Sequence, residues 1–203
     1  PLNIVSGCGA MLKTSDGREF IDLGSGIAVN IFGVCDTAWI SSVTEQLSKI
    51  QHTSNYYYTD PCALLAEKLC SNTGMKKVFF SNSGAEANEC AIKAARKYAQ
   101  DKKGKEYSTI ITLKNSFHGR TITTLSATGQ DSFHNDFLPL TPGFVYAEPG
   151  DIEGLKRLAG EYKTAAIMFE TIQGEGGVNV LDTEYLHGIA EIAEKNDILM
   201  ICD

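Results

Sequence analysis

No stretch of the 203 residues is apolar for anything near the roughly 20 positions that a bilayer-crossing helix requires, and the longest apolar runs, such as residues 165–169, have the length of a strand. Excess positive charge is missing too. Lys and Arg number 18 against 25 Asp and Glu, a formal net charge of -7, which argues against nucleic acid or an anionic membrane as a partner because each needs a basic face. The six cysteines, at 8, 35, 62, 70, 90 and 202, form no CxxC pair and have no His cluster beside them. Neither a zinc site nor a disulfide framework is therefore expected, and a reducing cytoplasm is the expected setting. Cys62, Cys70 and Cys90 stand among Ala and Leu in helix-like stretches and read as small buried thiols. Gly24-Ser25-Gly26 begins like a dinucleotide fingerprint but lacks the third glycine at the required spacing, so nicotinamide binding is set aside. No internal repeat, low-complexity tract or signal-peptide pattern is present. The first residue is Pro1, not Met, and Asp203 follows directly on a strand-like run; both ends are expected to be truncations.

What is present is the pattern of an α/β domain. With 43% apolar and 21% charged residues the chain can bury a core. From about residue 76 onward, short β-rich runs at 77–82, 108–113, 144–147, 165–170 and 198–203 alternate with helical stretches at 85–101, 151–158 and 183–194, which predicts a mainly parallel sheet with helices on both faces. The helix over 85–101 is expected to turn Ala87, Ala91, Ala94, Ala95 and Tyr98 inward and to stop at Gly104. Asp182 is placed to cap the last helix. Before residue 76, Asp16-Gly17 marks a hairpin, Asp36 can cap a helix over 37–50, and Asp60-Pro61 opens another that ends near Gly74. Residues 1–50 are expected to form an N-terminal segment, an arm with its entry helix, and residues 51–203 a partial large α/β domain.

Four segments carry chemistry. Phe79 to Glu89 reads as a buried strand, a small-residue turn and a helix start; the free amides around Ser83, Gly84 and Ala85 at the positive end of the helix dipole suit a phosphate. The same residues also fit plain capping, Ser83 as N-cap with Glu86 three positions on. Lys114 to Thr121 follows a strand at the carboxyl edge of the sheet, where α/β proteins place ligands. There Phe117 can stack on a flat ring and Arg120 can take a carboxylate in bidentate fashion. Phe169 to Val178 brings three glycines and two carboxylates to another strand end, with Glu175 free to meet a cation. Asp203 ends a very apolar strand, a costly place for a carboxylate without a partner.

In this order the motifs resemble the class III, ornithine-type aminotransferases, and the whole chain is similar to the acetylornithine branch. The matching segments are residues 24–30, His52-Thr53-Ser54-Asn55, the 81–89 turn, Phe117-His118-Gly119-Arg120-Thr121 and Gln173-Gly174-Glu175-Gly176-Gly177. Gly33-Val34-Cys35-Asp36-Thr37 departs from the usual Gly-His-x-His-Pro. The resemblance implies the large domain of the fold-type I pyridoxal-phosphate-dependent transferases, with a mixed seven-stranded sheet, incomplete here, and a homodimer with active sites at the subunit interface. It implies pyridoxal 5'-phosphate as cofactor, no metal, and transfer of the δ-amino group between N-acetylornithine and 2-oxoglutarate or glutamate, a step of arginine biosynthesis. Ornithine, succinylornithine and 4-aminobutyrate are the competing amino substrates. By position, Ser83, Gly84 and Ala85 would hold the cofactor phosphate, Phe117 would lie on the pyridine ring, and Asp203 would pair with the pyridinium nitrogen. Arg120 would hold the substrate α-carboxylate, Glu175 corresponds to the family's gate residue, and Tyr58 and Asn30 fall near the substrate side. No lysine of the chain stands in the Schiff-base position, so the 203 residues alone are expected to be an inactive fragment with residual phosphate or cofactor binding.

Overall fold

The computed structural model describes all 203 residues. By its internal packing the chain divides into two units, Pro1–Val78 and Phe79–Asp203, so residues 51–78 group with the N-terminal unit. That unit opens with an antiparallel meander of β1 (Ile4–Cys8), β2 (Met11–Thr14) and β3 (Glu19–Ile21), with the turn between β2 and β3 at Asp16-Gly17. A single turn, α1 (Ser25–Ala28), precedes α2 (Thr37–Lys49), whose N-cap Asp36 accepts from the Trp39 amide at 2.7 Å. Helix α3 (Asp60–Thr73) has a proline in its first turn and ends at Gly74 in the left-handed conformation (φ 73°), as the Asp-Pro start and glycine stop required. No residue of α2 or α3 is buried, and Cys62 is exposed and Cys70 only partly covered. The buried thiols read from the sequence are thus not found: the apolar faces of these helices, Leu64 and Leu65 among them, lie open.

The second unit is built on four parallel strands, β4 (Thr109–Leu113), β5 (Phe144–Ala147), β6 (Thr164–Phe169) and β9 (Leu199–Cys202), in the order β5-β4-β6-β9. Helix α6 (Ile152–Glu161) links β5 to β6, and α7 (Thr183–Lys195), capped by Asp182, leads to β9. A two-stranded hairpin, β7 (Ile172–Gln173) with β8 (Asn179–Val180), lies between β6 and α7. Strand alternation separates two cores. Ile111, Leu113, Ile167 and Phe169 meet Leu155, Tyr185, Ile189 and Ile192 of α6 and α7. Ile110, Ala166 and Met168 pack on the other face against Ile92, Ala95 and Ala99 of α4 (Gly84–Lys103). Helices therefore cover both faces of a parallel sheet, as the apolar runs implied. No helix is long and apolar enough to cross a membrane.

Two expectations need correction. Residues 77–82 form no strand, and Phe79 and Phe80 are exposed; no other segment supplies this run with a hydrogen-bonding ladder, without which β-propensity alone does not make a strand. For the same reason the parallel sheet has four strands, one fewer than the five runs read from the sequence. The buried face of α4 is also one position out of phase with the expected stripe, since Asn88, Ile92, Ala95 and Ala99 turn inward while Ala87 and Ala94 are exposed.

Arg96 fastens α4 to the sheet. Its Nε donates to the Ser108 carbonyl at 3.0 Å and Nη2 to that of Pro142 at 3.1 Å, with the guanidinium 5.1 Å from the Phe144 ring centroid. Arg96→Ala is expected to lower stability by about 2 kcal/mol, the range for hydrogen bonds from a charged donor, read as a shifted denaturation midpoint. Arg96→Lys should recover less than half of the loss, because an ammonium cannot span both carbonyls.

Candidate active site

The carboxyl ends of the strands carry the candidate residues. The connection after β4 leads to β5 on one side and that after β6 leads to β9 on the other, so the topology switches direction between β4 and β6, the position where open α/β sheets form a crevice. Four contacts join the two strand ends there. The Phe117 amide donates to Glu170 Oε2 at 3.1 Å, Gln173 Nε2 to the Lys114 carbonyl at 2.8 Å, and Gln130 Nε2 to Glu175 Oε2 at 2.6 Å. Gly176 lies so close to the Asn115 carbonyl that a β-carbon would overlap it. The glycine run after β6 is thus needed for close backbone approach. Glu175, expected to be free, is already engaged by Gln130.

The third side of the crevice is the start of α4. Ser83 is the N-cap and its hydroxyl accepts from the Glu86 amide at 3.2 Å, while Glu86 Oε2 reaches back to the Asn82 amide at 2.7 Å. Capping therefore takes up those two amides and leaves the amides of Gly84 and Ala85, in the first turn, without a protein acceptor. Gly119 (φ 131°) packs against this turn: a β-carbon there would lie 2.8 Å from Cβ of Ala85. The loop bearing Phe117 and Arg120 is thereby held beside the helix N-terminus.

Asp203 closes the set. Its amide donates to the Phe169 carbonyl at 2.9 Å, and its side chain, 29% exposed, is held at one oxygen. His118 Nδ1 lies 2.8 Å from Oδ2, and Asn88 Nδ2 donates to the same atom at 2.9 Å. Burial opposes ionisation of this carboxyl, but the hydrogen bonds from His118 and Asn88 outweigh it and keep its pKa below the ordinary value. Neither bond falls on Oδ1. The His118 ring is buried, and its Nε2 has no partner; with Nδ1 facing a carboxylate, the imidazole carries its proton there.

Phe117 is half-buried and meets Phe133 edge-on at 5.7 Å. Above both rings sits the Arg120 guanidinium, 5.9 Å from the Phe117 centroid and 5.4 Å from that of Phe133, and no protein acceptor takes its N–H groups. Gly84, Ala85, Phe117, Arg120, Glu175 and Asp203 thus belong to one unit and one sheet edge. Tyr58 and Asn30 belong to the N-terminal unit, Tyr58 fully exposed. Two residues of this edge escaped the sequence reading. Asn88 was detectable only once the buried phase of α4 was known, as a polar residue on an apolar stripe. Glu170, buried at the end of β6, carried the same signal that singled out Asp203.

Burial pushes the Glu170 carboxyl above its usual range, partly offset by the Phe117 amide and by the proximity of His118. A carboxyl whose pKa is raised on folding adds stability at acid pH that is lost as pH rises through the raised value. Glu170→Gln keeps an acceptor for the Phe117 amide and cannot ionise. Its melting temperature relative to the parent protein is therefore expected to climb from about pH 4 to pH 8, by an amount on the order of a few °C; a difference that stays flat with pH would contradict this.

All 203 residues match the sequence profile of the family described as aminotransferase class-III. The chain belongs to the class-III aminotransferases. An acetylornithine aminotransferase of Haemophilus ducreyi is 48% identical over 202 residues, covering 100% of the chain and 51% of that protein. A succinylornithine transaminase of Salmonella paratyphi A is 42% identical over 203 residues, covering 100% and 50%. Among solved structures, the ornithine aminotransferase of Toxoplasma gondii superposes with a TM-score of 0.94 at 32% identity, over 100% of this chain and 49% of that one. The chain spans about half the length of the curated relatives it matches. Membership in this family implies pyridoxal phosphate as the cofactor.

Proposed function

We propose that the protein carrying this chain is a pyridoxal-phosphate-dependent transaminase that moves the δ-amino group of N-acetylornithine to 2-oxoglutarate, giving glutamate, and works as a homodimer. The observation that carries the reading is Asp203: a carboxylate kept ionised by His118 and Asn88, with Oδ1 left over, at the sheet edge that also bears the open amides of α4. Such a set fits a phosphorylated pyridine and has little other use, because an anion held against burial needs a cationic counterpart.

In this reading Ser83, Gly84 and Ala85 hold the phosphate through backbone N–H groups at the positive end of the helix dipole. Phe117 would form one wall of the ring site, and Asp203 Oδ1 would accept a hydrogen bond from the N–H of the protonated ring nitrogen. When bound, the cofactor supplies an electron-accepting ring for the carbon that loses the amino group. The chain's part is to keep that ring protonated and correctly oriented. Arg120, resting on Phe117 and Phe133 with its donors unused, takes the α-carboxylate of the amino acid in bidentate fashion. Glu175, held by Gln130, keeps one oxygen with which a cation from elsewhere in the protein can pair. The Schiff-base lysine lies outside these residues, so the 203-residue chain alone is expected to turn nothing over.

The succinylornithine relative gives a second reading some weight, since the acyl group is the only part of the substrate that differs. Glutamate formation by the intact protein, measured with N-acetylornithine, succinylornithine, ornithine and 4-aminobutyrate, separates these. The highest kcat/KM is expected for N-acetylornithine, with a visible absorption band in the resting protein that borohydride removes. Absence of that band, or no transfer from any of the four donors, would sink the proposal.

A further inference from the structure

Asn88 has one side-chain amide and uses both of its protons: Nδ2 donates to the His118 carbonyl at 2.9 Å and to Asp203 Oδ2 at 2.9 Å. The three groups come from different parts of the fold, with sequence separations of 30 and 115 residues. The residue is 6% exposed and occupies the inward phase of α4 with Ile92, Ala95 and Ala99. An apolar residue would pack at such a position without any desolvation cost, so a polar one is retained for its bonds. Asn88 is also four residues from Gly84, one turn along the helix and about 6 Å down its axis. The helix that presents the phosphate amides is thus tied, one turn on, to the carboxylate that meets the pyridine nitrogen.

We propose that Asn88 is the positioning residue that fixes the separation and orientation of the phosphate end and the ring-nitrogen end of the cofactor site, by binding Asp203 and the His118 backbone from the helix that carries Gly84 and Ala85. The inference rests on the cofactor reading given above. Its mechanism is geometric. With Asn88 in place, Asp203 cannot rotate about its side chain without giving up a bond at Oδ2, so Oδ1 stays aimed at the ligand. The loop of Phe117 and Arg120 is held to the same helix through the His118 carbonyl. Without Asn88, Oδ2 keeps only His118, and the His118 carbonyl loses its side-chain donor.

The test uses the intact protein stripped of cofactor. Dissociation constants are measured for pyridoxal phosphate, by the change in its absorbance, and for inorganic phosphate, by competition, with folding followed by circular dichroism. Asn88→Ala is expected to weaken pyridoxal phosphate by about tenfold or more, the scale of a hydrogen bond to a charged group, while inorganic phosphate changes by less than about twofold because the Gly84 and Ala85 amides are untouched. Equal weakening of both ligands would mean general damage to the helix and overturn the inference, as would no weakening of either. Asn88→Asp keeps the side-chain volume and supplies a second variant should alanine fail to fold. Set against Asp203 and His118, both of which also feel the charge of Glu170, its carboxyl can donate to Asp203 only when protonated. Its affinity for pyridoxal phosphate, relative to the parent protein at the same pH, should therefore recover toward acid pH and fall toward alkaline pH. A pH-independent ratio would overturn the inference. If the unsubstituted protein binds phosphate but not pyridoxal phosphate, it is the underlying cofactor reading that fails.

Discussion

Asp203→Asn is expected to cut the turnover of the intact protein by roughly a thousandfold, at the upper end of what removal of one preorganised electrostatic partner costs, while leaving the protein folded and able to take up its cofactor. The substitution preserves the volume and an oxygen that can accept from Asn88 and His118, so the local bonds at 2.9 and 2.8 Å have a replacement acceptor. What disappears is the charge. A neutral amide cannot keep a ring nitrogen protonated, and only a protonated ring draws electrons from the reacting carbon strongly enough to matter. Occupancy at saturating cofactor should survive because the phosphate amides of Gly84 and Ala85 lie on another element. The predicted signature is a large fall in kcat at saturating cofactor, a cofactor affinity weakened at least as much as by Asn88→Ala, and a loss of stability on the order of 1 kcal/mol from the weakened charge-assisted bonds. That last loss should shrink as pH falls, because Asp203 contributes stability only while ionised and its depressed pKa places the loss in the acid range. Activity within about fivefold of the parent protein would remove Asp203 from the chemistry.

How much of this was legible beforehand divides along a physical line. Features set by neighbours in sequence were readable. Asp36 and Asp182 cap helices, Gly74 and Gly104 end them, and four of the five apolar runs proposed as strands pair as parallel strands, because caps, stops and buried strands are local in cause. The fifth run, 77–82, failed because strand formation also needs a partner, which no local pattern supplies. Alanine-rich α4 gave the wrong phase for a related reason: with Ala at 87, 91, 94, 95 and 99 the stripe is degenerate. The decision falls to Ile92 and to the bonds of Asn88, whose partner Asp203 lies 115 residues away. Glu170 holding Phe117, 53 residues apart, was hidden in the same way. The glycine and aromatic motifs located the site, and long-range polar contacts, invisible in a single sequence, assemble it.

Gly119→Ala should be a strongly disruptive single-methyl change at this edge, costing about 3 kcal/mol or more and weakening the cofactor together with the fold. Two independent costs combine. The backbone at Gly119 has φ 131°, a region that residues with a β-carbon rarely occupy, at a price of about 1–3 kcal/mol. The added methyl would also stand 2.5 Å from Thr124 Oγ1 and 2.8 Å from Cβ of Ala85, well inside van der Waals contact. Neither neighbour can yield freely. Thr124 and Thr121 cap α5 (Ile122–Ala127) reciprocally, with the Thr121 amide donating to Thr124 Oγ1 at 3.1 Å, so moving that oxygen uncaps the helix, a further loss of about 1 kcal/mol. Ala85 belongs to the turn whose amides are assigned to the phosphate, so displacing it opens the cradle. Gly160→Ala is the contrasting case: it lies inside α6 with open space where its β-carbon would go, and should stabilise by about 0.5–1 kcal/mol. Thermal denaturation of both variants, with pyridoxal phosphate titrated into each, separates a general intolerance of alanine from the specific crowding between the Phe117 loop and α4. Equal melting temperatures for the two would mean that Gly119 does not set that contact.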